Sequence, residues 1–188
     1  MNFISIKDMY KFFSKIPVIK TERFFLRKIS YEDTDDMYEY SCEARTSEYL
    51  LWSPHPERFY TYEYIRSLQN AYKHGEFYDW AIICRDSGKM IGTVGYSEIY
   101  FEDDRAEVGY VINPEYWGRG VATECLSAIT AFGFERLGFH RLEARIMVGN
   151  DASMRVAEKC GYAFEGVHKD MLLVKGEYRD IAFYANVK

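Results

Sequence analysis

Eight residues, Tyr116-Trp117-Gly118-Arg119-Gly120-Val121-Ala122-Thr123, separate a strand pattern over 106–112 from a long helical pattern. A strand, a glycine-rich turn and a helix start make one physical device. The first N–H groups of a helix have no intrahelical acceptor, and the helix adds partial positive charge there. Such a terminus accepts a phosphate or pyrophosphate. Gly118 and Gly120 lack a Cβ, so the backbone can approach a ligand closely. The turn therefore predicts a phosphate-bearing cofactor. A lone Gly-x-Gly also reads as a purely structural turn, and that alternative stays open at this point.

Spacing argues against two familiar phosphate sites. The P-loop pattern GxxxxGK[ST] is absent. A dinucleotide fingerprint would need a third glycine where Thr123 stands and a preceding βαβ unit, and Glu143, near the position of a ribose-binding acid, falls in mid-strand.

The 188 residues fit one domain over 1–188, with 1–20 as a helical extension. No apolar run is long enough to cross a membrane, and Lys7, Asp8, Lys11 and Lys15 interrupt any signal-peptide core, so a cytoplasmic protein without a membrane partner is expected. Cys42, Cys84, Cys125 and Cys160 form no CxxC pair and read as small buried hydrophobes in a reducing compartment. The histidines are equally dispersed, and no metal site is expected. A net charge of −5 disfavours nucleic acid and is compatible with a cationic or amine partner.

Hydrophobic periodicity predicts an amphipathic helix over 1–16, packed on the domain or on a second subunit; with the aromatic load it makes a homodimer an expectation. A strand follows over 23–29, then a helix capped by Ser30 with Asp33 three residues on, and a helix over 56–72. Strands over 80–85 and 90–100 flank the turn Asp86-Ser87-Gly88-Lys89, and Asn113-Pro114 stops the strand over 106–112. After the helix carrying Ala122, Leu126, Ile129 and Phe132 on one face come a strand over 141–148 and a helix over 151–159 ended by Gly161. Strands over 163–174 and 178–187 meet at Lys175-Gly176. This order is a mixed α/β fold: an antiparallel meander, then a central βαβ unit.

The chain resembles the GNAT acetyltransferase superfamily, and within it the branch that acetylates N-termini of ribosomal proteins. The resemblance rests on Thr21-Glu22-Arg23-Phe24-Phe25-Leu26-Arg27, Met90-Ile91-Gly92-Thr93-Val94-Gly95, Glu107-Val108-Gly109-Tyr110-Val111-Ile112 and the glycine turn through Glu124. It continues through Asn150-Asp151-Ala152-Ser153-Met154-Arg155-Val156-Ala157-Glu158-Lys159-Cys160-Gly161-Tyr162 and Glu165-Gly166. It implies a mostly antiparallel, splayed seven-stranded sheet flanked by helices, and an acetyl-CoA-dependent N-acetyltransferase with no metal.

On that resemblance, Trp117, Gly120 and Ala122 occupy the pyrophosphate motif. Gly118, Arg119, Gly120, Val121, Ala122 and Thr123 would hold the pyrophosphate, Arg119 by charge. Val111 and Ile112 would pair with the pantetheine arm through their backbones. Asn150 would bind its amides, a role that competes with a plain helix cap. Glu107 is the expected base, directly or through a water; it reads equally as a strand carboxylate paired with Arg105 or Arg145. Ser153 is the expected partner of the departing sulfur, because the tyrosine of many GNATs falls at Ala157; it reads otherwise as a residue that caps or packs the helix. The carboxylate that ribosomal members carry near Met171 and Leu172 is represented only by Asp170.

The acceptor is expected to be a primary amine. Neutralising a lysine amine at pH 7 costs about 4.6 kcal/mol against about 1 kcal/mol for an α-amine, so a protein or peptide N-terminus asks least of a base. A polyamine, amino acid or aminoglycoside is the alternative acceptor, and a non-catalytic acyl-CoA sensor a third reading. Tyr60, Tyr62, Tyr64, Tyr72, Phe77 and Tyr78, with Trp52 and Glu48, are candidates to roof the acceptor pocket or to serve as core.

Overall fold

The computed structural model describes residues 11–188. The helix expected over 1–16 lies mostly outside them; residues 11–14 are helical, and Phe13 is buried against Tyr78, Trp80 and Tyr96. The chain then forms β1 (Ile19–Lys20), β2 (Phe24–Arg27), α1 (Thr34–Ser41), α2 (Ala44–Ser47), α3 (Arg58–His74), β3 (Asp79–Cys84), β4 (Met90–Tyr100) and β5 (Arg105–Ile112). After the glycine turn come α4 (Val121–Phe132), β6 (Arg141–Met147), α5 (Asp151–Lys159), β7 (Ala163–Val174) and β8 (Glu177–Val187).

The strands form one sheet in the order β1-β2-β3-β4-β5-β6-β8-β7. The eighth strand, beyond the seven expected, is the two-residue β1, too short for any periodicity to announce. Every neighbouring pair is antiparallel except β5 and β6, which α4 connects as a parallel pair. Their pairing covers only Arg105↔Arg141, Ala106↔Leu142 and Glu107↔Glu143. Beyond Glu107 the two strands diverge, while β5 stays paired with β4 to Ile112.

The start of α1 shows why its sequence signal was readable. Ser30 N–H donates to Asp33 Oδ2 at 2.7 Å, and Arg27 grips the same carboxylate with bonds of 2.8 and 2.6 Å. A short 3-10 turn over Tyr31–Asp33 precedes the α-helix. The C-terminus of α3 is closed by Gly75 in the left-handed region, φ 71°. The expectation for the cysteines needs correction: Cys125 is buried, Cys84 and Cys160 are half-buried, and Cys42 is exposed. No described helix is long and apolar enough to cross a membrane.

The core lies between the sheet and the helices α1, α3 and α4. Tyr96 reaches through it and donates its hydroxyl to Ile129 O at 2.6 Å. Gly133, which follows α4, packs against that hydroxyl: a Cβ there would lie 2.9 Å from Tyr96 Oη and 3.2 Å from both Leu142 Cδ1 and Phe139 Cδ2. Gly133→Ala is therefore expected to destabilise by about 1–3 kcal/mol through overpacking. Tyr96→Phe should cost about 1 kcal/mol. Because the missing hydroxyl makes room for the new methyl, the double variant should lose less than the sum in urea unfolding. Strict additivity would disprove the contact.

Candidate active site

The site is built where β5 leaves β6. Alternation along β5 decides which backbone groups face the gap. Asn113 N–H donates to Ile91 O on β4 at 2.8 Å, so the odd positions, Val111 and Gly109 included, turn their N–H and C=O toward β4. The even positions turn theirs to the open side. Ile112 O is taken by the Trp117 indole N–H at 2.8 Å. The edge left for a ligand is Ile112 N–H with both backbone groups of Tyr110. This corrects one expectation: Val111 lines the cavity, but its backbone is committed to β4, and the adjacent Tyr110 supplies the free edge.

The turn follows directly. Asn113 Oδ1 accepts from Glu115 N–H at 2.9 Å and starts a 3-10 turn over Pro114–Tyr116. Gly118 and Gly120 then adopt φ 73° and 75°, a region that admits glycine without strain. The first bond of α4 runs from Glu124 N–H to Gly120 O at 3.1 Å. The N–H groups of Val121, Ala122 and Thr123 precede it and have no intrahelical acceptor.

Glu124 anchors this turn to β2. It accepts from Thr21 Oγ1 at 2.7 Å, Arg23 N–H at 2.9 Å and Arg23 Nε at 2.7 Å. Burial raises its carboxyl pKa, and these donors outweigh burial and leave it below the ordinary range. Arg23 also donates to Arg119 O at 2.8 Å, and the Arg119 guanidinium lies over the Tyr116 ring at 5.4 Å.

A cavity of about 400 Å³ joins the turn to the bare edge. Trp117, Gly118, Gly120, Val121, Ala122 and Thr123 form one end, Tyr110, Val111 and Ile112 the wall, and Asn150 and Ser153 of α5 the opposite wall. Arg119 stands outside the lining. Arg155 and Lys159, which sequence reasoning missed, add cationic side chains from α5; their i,i+4 spacing was the available signal. The segment after α2 closes the far side with Glu48 and Tyr49. Asn150 Oδ1 accepts from Ser153 N–H at 3.2 Å, so this residue caps α5 while it lines the cavity.

Two features were not legible in sequence. The Tyr110 hydroxyl is buried and, among the described residues, has no hydrogen-bond partner. Burial pushes this phenol up to about 12, and the neighbouring Ser153 hydroxyl opposes the rise without reaching hydrogen-bond geometry. Second, the strand carboxylates at the divergence are neutralised. Glu107 is paired with Arg145 and lies outside the cavity lining. Glu143 binds Arg105 at 2.8 Å and Arg141 at 2.6 Å, which leaves it no ribose to hold.

Several acceptor-side candidates are core. Tyr72 is fully buried and donates to Asp79 O at 2.6 Å. Tyr60, Tyr64 and Phe59 remain exposed on α3. Tyr62 stacks on Phe59, while Tyr60, Tyr64 and Trp52 gather around the buried His55. Asp170, at φ 49°, donates its N–H to Asp180 and does not line the cavity. No group of three or more potential metal ligands occurs among the described residues.

These residues fit an acyl-CoA: free helix N–H groups and cations for phosphates, an open strand edge for an extended amide chain, and an unpartnered hydroxyl beyond it. The chain matches the Acetyltransferase (GNAT) domain over residues 23–163. The uncharacterized N-acetyltransferase YoaA of Bacillus subtilis (strain 168) is 30% identical over 172 residues, 92% of this chain and 97% of that one. The ribosomal protein uS5-alanine N-acetyltransferase of Escherichia coli (strain K12) is 25% identical over 181 residues, 92% of each chain. The solved structure of a GNAT-family acetyltransferase from Bacillus anthracis superimposes with a TM-score of 0.82 at 26% identity, covering 91% of this chain and 98% of that one. With the turn, the bare strand edge and these likenesses in agreement, the chain belongs to the GNAT family and is an acetyl-CoA-dependent N-acetyltransferase.

Proposed function

We propose that the acceptor is the α-amine of a peptide or protein N-terminus, taken up where the bare edge of β5 opens beyond Tyr110. The observation that carries this reading is the continuity of the cavity. It runs from the glycine turn along β5 to Glu48 and Tyr49. The likeness to a ribosomal-protein alanine acetyltransferase over nine-tenths of each chain supports it, as does the low cost of neutralising an α-amine near pH 7.

In this reading the N–H groups of Val121, Ala122 and Thr123 bind pyrophosphate, with Arg155 and Lys159 as cationic support. Asn150 and the free backbone groups of Tyr110 and Ile112 orient the pantetheine amides. The bound group supplies an activated acetyl thioester. The hydroxyls of Tyr110 and Ser153, neighbours across the cavity, would serve the thioester sulfur. A phenol held near 12 stays protonated at neutral pH and donates a hydrogen bond to developing thiolate charge. Glu107, held by Arg145, braces the strands where they part.

Acetyl transfer is tested by thiol release from acetyl-CoA, with mass spectrometry of the product, on peptides with Ala, Ser or Met N-termini, spermidine, single amino acids and an aminoglycoside. Peptide turnover is expected; turnover confined to small amines would replace the peptide reading. Tyr110→Phe should lower kcat about tenfold, the worth of one hydrogen bond of about 1.4 kcal/mol, with acetyl-CoA affinity by calorimetry unchanged. Adding Ser153→Ala should cost less than the product of the single losses, because both hydroxyls serve one atom. Equal losses in affinity and kcat would move Tyr110 from sulfur stabilisation to cofactor binding.

A further inference from the structure

The strand register places a second chemical group on β3, two strands from β5 and, like Glu107, outside the cavity lining. Asp79 begins β3, pairs with Gly95 of β4, and Gly95 pairs with Gly109 of β5. The three positions lie abreast, at strand spacings of about 4.8 Å. The next residue of β3, Trp80, packs on Phe132 of α4, so Asp79 turns to the other face of the sheet. There Asp79 Oδ1 occupies the space a side chain at position 95 would need: a Cβ on Gly95 would lie 2.2 Å from it. At Gly109 the floor is clear, with nothing nearer to a Cβ than Ser97 Cβ at 3.9 Å. Followed from the glycine turn, the edge of β5 passes Ile112 and Tyr110 and arrives at Gly109, two residues past the point where β6 departs.

The surroundings of Asp79 are unusual for a carboxylate. Its residue surface is partly open, yet among the described residues no cation and no hydrogen-bond donor reaches the carboxyl oxygens. The titratable groups facing it are Tyr40 from α1 and Tyr64 and Tyr72 from α3; β4 and β5 present only glycines. Tyr64 is exposed as a residue but its hydroxyl end is buried, and that burial pushes the phenol up to about 12, with the Asp79 charge as the next cause. Burial likewise drives Tyr40 and Tyr72 above their ordinary range, so all three phenols are neutral near pH 7. Around Tyr64 sit His55, Tyr60 and Trp52, with ring centroids 4.9–5.8 Å apart along the cluster. Burial also lowers His55, which favours its neutral form. An anionic group walled by neutral aromatic rings is the environment that receives an ammonium ion.

We infer that Asp79 is the acceptor-side carboxylate, which docks the ammonium form of the incoming amine and takes its proton. This rests on the acetyl-transfer reading above and adds to it that the acceptor enters as a cation. The proton moves from the ammonium to Asp79 Oδ. The freed lone pair forms the C–N bond as the C–S bond of the thioester breaks. The second amine proton goes to sulfur, and Asp79 returns its own to solvent, so the balance closes without a further reactant. Glu107 does not compete for the role, since Arg145 neutralises it. Burial alone raises the Asp79 carboxyl to about 7, within a unit of the 7.7–8.0 of an α-amine.

Asp79→Asn tests the assignment by two readouts. The first is the pH profile of kcat/KM for an Ala-peptide: the wild type should rise through an acid limb near pH 7 and fall as the ammonium form is lost near the α-amine pKa of about 7.7–8.0, whereas the variant, which must take the neutral amine, should show its acid limb only near 8, with kcat/KM lowered about tenfold at pH 7. The second needs no turnover. The folded-state pKa of Asp79 lies above the unfolded value of about 3.9, so the fold binds a proton that the unfolded chain has already released. Wild-type stability therefore falls as pH rises from about 4 to 7 and stays lowered above that. Asparagine carries no such penalty, so the Tm gain of Asp79→Asn over wild type should grow from pH 4 to pH 8. Parallel Tm profiles, or an acid limb kept near pH 7 by the variant, would overturn the inference. If the wild type acetylates no amine in the panel, the functional reading fails and the role of Asp79 with it. Turnover with the limb retained sinks Asp79 alone and returns the base to Glu107.

Discussion

β5 and β6 share three residue pairs and then separate, and the rest of the molecule is arranged around that separation. A strand edge in a sheet interior ordinarily finds its hydrogen bonds in the next strand. Here the backbone groups of Tyr110 and Ile112 face a gap, and unsatisfied peptide groups are costly unless a side chain, water or ligand meets them. The chain meets one of them itself, through the Trp117 indole on Ile112 O. The remainder are left for an extended ligand. Ion pairs Glu107–Arg145 and Arg105–Glu143 brace the last paired residues, so the parting of the strands is held at a defined point.

The same economy of polar groups explains the turn. Glycines at positive φ and a helix start expose three N–H groups in succession, and Glu124 ties the arrangement to β2 by three bonds. The anchor is a carboxylate, yet it adds no net negative charge beside the helix N-terminus, because the positive charge of Arg23 is bound to it. Charge at the site is thus sorted: cations on α5 stand at the cavity, and carboxylates near the divergence are spoken for. Asp79 is the exception, and its isolation follows from burial beside glycines rather than from any nearby repulsion.

Much of this was legible because the signals are local. The glycine turn, the Ser30–Asp33 cap and the Gly161 stop each depend on residues within a few positions of one another. The outline of strands and helices followed from them with boundaries off by one or two residues. The two-residue β1 and the four-residue α2 went unread, since neither spans a period of its own pattern. Arg155 and Lys159 were visible as a spaced pair but had no cavity to face until α5 was placed.

What the sequence by itself determined is the glycine turn with its helix start, the order of elements and the family, because short-range stereochemistry of glycine, caps and periodicity carries that information. Only the tertiary structure decided which carboxylates are free. Glu107 and Asp79 look alike in a sequence; a guanidinium from β6 silences one, while desolvation against β4 leaves the other alone. It also decided that Tyr110 rather than Val111 shows its backbone to the cavity, since the direction of a strand's hydrogen bonds is set by its partner strand and not by its own residues.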